Sequence, residues 1–106
     1  MIGYAAVCRS SVSLQLGQLA ALLDRWEAAE QHFSAALTVN RRVGARPALA
    51  HTKYRYARAL LARGRGDDRD RAEGLLEEGR QEAVSLGMSH LLEEITSALD
   101  TAYALR

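Results

Sequence analysis

Four residues recur in one order and at one spacing. Ala29, Phe33, Ala36 and Gly44 are followed, each 43 residues later, by Ala72, Leu76, Gly79 and Gly87. Small, large, small and then glycine, twice at the same offset, constrains the fold strongly. A period of that length is a supersecondary unit, not a single helix or strand. The segments ahead of these sets align as well, Gly17 with Ala57, at an offset of 40 residues. The difference of three falls in the turn "GRGDD". The unit is therefore a helical hairpin, present twice, with a further helix opening a third. Small residues at Gly17, Ala29, Ala36, Ala57, Ala72 and Gly79 allow paired helices to approach closely, and Phe33 and Leu76 fill the space between them. One hairpin cannot bury its apolar face alone, so hairpins stack.

Periodicity places the elements. Helix one is predicted over 3–23, where Val12, Leu16, Leu19 and Leu23 recur at three- and four-residue steps as one apolar face. Asp24 is the expected N-cap of helix two, with Glu27 in capping-box position. Helix two is predicted over 25–43 with a buried stripe of Trp26, Ala29, Phe33, Ala36 and Leu37, and Gly44 ends it in a left-handed turn. Pro47 suits the first turn of helix three. That helix carries Ala50, Tyr54, Ala57 and Leu61 on one side and Leu49, Tyr56 and Leu60 on another, the pattern of a helix packed on two sides. Gly64 and Gly66 stop it, and Asp67 or Asp68 caps helix four, predicted over 69–86 with Ala72, Leu75, Leu76, Gly79, Ala83 and Leu86 inward. Gly87 ends this helix. Ser89 caps helix five, which carries Leu91, Ile95, Ala98, Ala102 and Leu105. The reading is one all-α domain: hairpin one over 3–44, hairpin two over 46–87 and an extra helix over 89–105. A single proline, 6% aromatic residues and no alternating run of Val, Ile and Thr agree with helix and not strand.

Gly17, Ala29, Phe33 and Ala36 stand at the spacing of tetratricopeptide-repeat signature residues, and Ala57, Ala72, Leu76 and Gly79 resemble the same set with conservative changes. The resemblance covers residues 10–86. Ser13 departs from it where a large apolar residue is preferred, Ala20 where Tyr is usual, and Arg41 near the place of the terminal Pro. The phrase "RWEAAEQHFSAALTVNRRVGARPALAHTKYRYARALLARG" is similar to the helical-repeat segments of bacterial LuxR-family and signal-transduction ATPase regulators. The resemblance implies antiparallel hairpins stacked as a right-handed solenoid. It also implies a protein-interaction and regulatory scaffold role within a larger cytoplasmic transcriptional regulator. In that family the first helix of each hairpin lines a concave groove. Carried over, the groove positions are Ser11, Leu14, Gln18 and Ala21, then His51, Tyr54, Arg58 and Leu61. Spacing alone puts His51, Arg55 and Arg58 on one side of helix three. Tyr54 beside Arg58 pairs an amphipathic ring with a fixed positive charge, residue types common in binding hot spots. The expected occupant is an acidic or carboxylate-bearing peptide, or another domain of a parent chain. The alternative is that Tyr54 is core and the arginines pair with helix four.

Other chemistries find little support. His32, His51 and His90 are scattered and distant from the lone Cys8, so no metal site is expected. "RGRGDD" lacks the Gly-Lys-Ser/Thr of a phosphate loop. No nucleophile–base set can be named, and neither an enzyme nor a cofactor is expected. One cysteine forms no internal disulfide, and no apolar run reaches membrane-span length, in keeping with a cytoplasmic protein. The formal charge of +1 conceals an asymmetry: residues 41–65 hold eight Arg or Lys and no acid, and 67–94 hold nine acids and three Arg. Mutual neutralisation of neighbouring helices is the plainer account, and direct nucleic-acid binding through 41–65 is the alternative. A third reading is a homodimer: helix five has no following partner, leaving Leu91, Ile95, Ala98 and Leu99 to find one in a second copy. In an isolated segment, helix one is a further surface, exposed where a preceding repeat of a parent chain once packed.

Overall fold

The computed structural model describes residues 2–104, with side chains described from Arg9 onward. Leu105 and the side chain of Cys8 lie outside the described residues. Five helices follow one another: α1 (Ile2–Leu22), α2 (Trp26–Val43), α3 (Arg46–Arg63), α4 (Asp68–Leu86) and α5 (Ser89–Ala104). No strand occurs among the described residues, and none of these helices is long and apolar enough to cross a membrane. The fold is all-α, as the periodicity requires. Short linkers force consecutive helices to run antiparallel. α1 packs on α2 and α3 on α4. α3 also touches α1, α2 and α5, so it is the helix that joins the two hairpins.

The repeated glycines do the same work at both sites. Gly44 and Gly87 each have φ of +69°, in the left-handed region. The Gly44 N–H donates to the Arg41 carbonyl and the Ala45 N–H to that of Asn40; the Gly87 and Met88 N–H groups donate likewise to Val84 and Ala83. This is a Schellman closure, which satisfies carbonyls left over at a helix end. α1 ends in the same way, and here the sequence expectation is corrected. Asp24 is not the N-cap of α2. Its φ is +60°, its N–H donates to the Ala21 carbonyl, and the Arg25 N–H donates to Ala20. Asp24 is thus the left-handed residue closing α1, a conformation that Asp tolerates better than most residues. Arg25 occupies the N-cap position of α2, without a side-chain cap.

A second correction concerns α1. The expected core face, Val12, Leu16, Leu19 and Leu23, is 42–60% exposed. The helix turns Ser10, Gly17 and Ala20 inward instead. The reason is close approach. A Cβ on Gly17 would lie 3.1 Å from the ring of Phe33, so α1 and α2 meet where α1 has no side chain. The long side chains stand on the opposite side of the helix. Phe33 in turn stacks on Tyr56 of α3, with ring centroids 4.7 Å apart, so one aromatic pair ties the hairpins together. Gly17 and Phe33 therefore set the packing of α1 on α2.

The third correction is at α5. Leu91, Ile95 and Leu99 belong to the chain's own core, and Ala98 packs partly buried against it. α5 docks back on α4, where Ile95 Cδ1 would be 3.3 Å from a Cβ at Gly79. These four residues are therefore not a stripe awaiting a second copy.

Polar groups also cross the core. The Ser10 hydroxyl donates to Asn40 Oδ1 (2.7 Å), the Asn40 amide to Thr52 Oγ1 (3.2 Å), and the Thr52 hydroxyl to the Ala48 carbonyl (2.8 Å). All three side chains are buried, and the thread fixes α1, α2 and α3 against one another.

Candidate binding groove

The C-terminal half of α1, the first turn of α2 and the outer side of α3 enclose a cavity of about 340 Å³. Its apolar lining is Ala21 and Leu22 from α1 and Ala59 and Ala62 from α3. Arg55, Arg58 and Arg63 supply positive charge on the α3 side, and Gln18 and Asp24 stand opposite. Trp26 lines the cavity as well. A second cavity, of about 550 Å³, lies on the other flank of α3, between Tyr54, Arg58 and Leu61 and the α5 residues Glu93, Glu94 and Ser97. Arg58 borders both.

The expected groove residues divide between these spaces. Gln18, Arg55 and Arg58 line the first cavity together with Ala21; Tyr54 and Leu61 line the second. Leu14 packs partly buried against the core, and His51 and Ser11 are exposed. Tyr54 is only 5% exposed. The guanidinium carbons of Arg55 and Arg58 lie 5.5 and 5.7 Å from its ring centroid, within cation–π range. Tyr54 thus serves as a buried platform that orients two arginines.

Trp26, expected in the buried stripe of helix two, packs against the core but is only half-buried and also lines the cavity. The Arg63 guanidinium covers its ring at 4.2 Å from the centroid. Arg63 is held there by a two-pronged pair with Asp68, Nε to Oδ2 at 2.7 Å and Nη2 to Oδ1 at 2.9 Å. The Trp26 Nε1–H is buried and finds no acceptor among the described residues. An orphaned buried donor costs roughly 1–3 kcal/mol unless something accepts from it. The indole could not be assigned to this wall from periodicity, because its orientation depends on how the hairpin closes. Ala59 and Ala62 were legible in principle, since they follow Arg55 at helical steps of four and seven.

Charge near the groove is strongly organised. Asp68 is fully buried. The hydrogen bonds from Arg63 hold its carboxyl below the ordinary aspartate value, against the opposing effect of burial; the Arg65 N–H at 3.1 Å and the Arg71 charge assist. Glu30 receives the Tyr56 hydroxyl and the Arg71 guanidinium. Burial pushes the Glu30 carboxyl up, but those two donors and the charges of Arg71 and Arg63 outweigh it and leave it lowered. Burial and the Glu30 carboxylate push the Tyr56 phenol up to about 12.

The basic tract is not one surface. Lys53 is 5% exposed and pairs with Glu78 and Glu82 of α4, and Arg63 pairs with Asp68. Neighbouring helices neutralise these cations, as the plainer reading of the asymmetry expects. Arg55 and Arg58, by contrast, face the cavities. The arrangement offers two guanidinium groups beside an apolar lining. It suits a ligand with an anionic or hydrogen-bond-accepting end and an apolar body. No protein-family model, curated protein or solved structure matches this chain.

Proposed function

We propose that the chain is a protein-interaction module. It receives an acidic or carboxylate-bearing peptide segment in the groove between α1 and α3. One observation carries this reading: Arg55 and Arg58, both over the ring of the buried Tyr54, line one cavity together with Trp26 and the apolar side chains of Ala21, Leu22 and Ala59. The residue pattern Gly17, Ala29, Phe33 and Ala36, repeated at Ala57, Ala72, Leu76 and Gly79, supports a tetratricopeptide-like solenoid as the setting. On the same resemblance, the module belongs to a larger cytoplasmic transcriptional regulator or signalling ATPase. It couples partner binding to domains elsewhere in the parent.

Trp26 is the sole tryptophan, so it reports directly on the groove. Titrating a Glu-rich peptide that carries one leucine is expected to change Trp26 fluorescence saturably, with affinity falling as salt rises. Replacing Arg55 and Arg58 together by Ala should weaken binding at least tenfold, about 1.4 kcal/mol. The exposed pair Arg41 and Arg42, replaced likewise, should leave it unchanged. Equal loss in both variants would mean that the peptide answers to net charge alone, and the groove reading would be wrong.

A further inference from the structure

α1 carries an apolar stripe that is left exposed among the described residues. Val12, Leu16, Leu19 and Leu23 are 56, 42, 52 and 60% exposed, and Leu22 beside them is 84% exposed. Scattered exposed apolar residues are ordinary; three aligned on one helix face and continued by Leu23, whose N–H still donates to the Leu19 carbonyl in the closing turn, mark an interaction surface. Their steps of four, three and four residues are those of a coiled-coil seam. The face is also nearly uncharged. From Ser10 to Leu23 there is no Asp, Glu, Lys or Arg; Arg9 stands before the stripe and Asp24 after it.

We infer that this face pairs with the same face of a second copy, α1 against α1, antiparallel about a two-fold axis. Three features select that occupant. First, the step pattern reads the same in both directions, so a two-fold axis midway between Leu16 and Leu19 sets Val12 opposite Leu23 and Leu16 opposite Leu19. The surface is complementary to itself, as an isologous interface must be. Second, the antiparallel sense brings Arg9 of one copy toward Asp24 of the other at both ends. The parallel sense would set like charges side by side. Third, the absence of charge along the middle leaves no repulsion when two identical faces meet, and no charge to attract a charged partner. The seam from Val12 to Leu23 spans about 17 Å at 1.5 Å per residue. That is short, placing the contact at the small end of specific interfaces, with a dissociation constant on the order of micromolar. The four stripe residues are not among those lining the peptide groove, whose arginines lie on α3, although Leu22 borders both surfaces.

Sedimentation or light scattering of the whole chain tests it. From about 1 µM to about 1 mM the mass should rise from that of one 11.6 kDa chain toward twice that value. Leu16→Glu with Leu19→Glu should remain monomeric throughout. Both sites are exposed, so helix content and melting temperature should match the parent chain. Orientation is read by cross-linking in a Cys8→Ser background: Val12→Cys protein mixed with Leu23→Cys protein should form the mixed disulfide under mild oxidation. A parent chain that stays monomeric to the highest concentration would overturn the inference. So would Val12→Cys cross-linking to itself in preference to the mixed product, which would make the pairing parallel.

Discussion

Gly17 shows how a single missing atom sets a packing surface. Helix propensity favours alanine over glycine by about 1 kcal/mol, so Gly17→Ala would stabilise α1 if space allowed. Space is tight. The added Cβ would sit 3.1 Å from Phe33, so a fully buried ring already stacked on Tyr56 would have to shift by a few tenths of an ångström. Overpacking of this kind costs about 1–3 kcal/mol. The net expectation is a loss of about 1 kcal/mol, read as a lower midpoint in urea with unchanged slope. Gly74 is the control. It lies inside α4 on the exposed side, with nothing within 4 Å of its would-be Cβ. Gly74→Ala should therefore raise stability by about 0.5–1 kcal/mol. If both changes move stability in the same direction, close approach at Gly17 does not govern the α1–α2 contact.

At the scale of elements, the α3–α4 turn depends on Asp68. Asp68 opens α4, yet its carboxylate does not cap that helix; it reaches back to Arg63 and to the Arg65 N–H. Its carboxyl is lowered in the folded chain, so between the folded and ordinary values the unfolded chain binds more protons. The stabilisation is complete above the ordinary aspartate value, about 3.9, and is lost as pH falls through the folded value. Glu30 is lowered as well and acts on the same side. Stability measured by denaturant should hold from about pH 7 to about pH 5 and decline below about pH 4. Asp68→Asn should be less stable at neutral pH and show a shallower acid decline, with the remainder due to Glu30. An acid decline identical to that of the parent chain would show that Asp68 does not contribute to it. The same turn places Arg63 over Trp26, so this substitution should also red-shift Trp26 emission as the indole loses its cover.

At the scale of the whole molecule, the contact between hairpins rests on α3. Phe33 and Tyr56 stack across it, and the Tyr56 hydroxyl donates to Glu30 of α2 while accepting from Arg71 of α4. Three helices thus converge on one phenol. Its value is raised from 10.0 to about 12, so in that interval the unfolded chain loses a proton that the folded chain keeps. The stabilisation is complete below pH 10 and is lost as pH rises toward 12. Tyr56→Phe keeps the stack and removes the hydroxyl. It should be less stable near neutrality, and the gap between variant and parent should close as pH rises through this interval. A constant gap would mean that the phenol does not ionise on unfolding there.

Helix number, helix limits and the hairpin unit were legible in the chain because they depend on local chemistry: glycine ends, apolar period and a repeated small–large–small order. Gly44 and Gly87 needed no partner to be recognised as helix ends. What the period of α1 could not disclose was which of its two faces lies inward. Val12, Leu16, Leu19 and Leu23 make the more apolar face, yet packing follows Gly17, since the bulk of Phe33 on another helix sets how near α1 must come. The thread from Ser10 through Asn40 to Thr52, the Trp26 wall of the groove and the burial of Leu91, Ile95 and Leu99 share that dependence. Each is decided by residues far apart in sequence. An amino-acid sequence fixes a residue's own backbone preferences directly, but the surroundings of its side chain exist only once the helices have closed on one another.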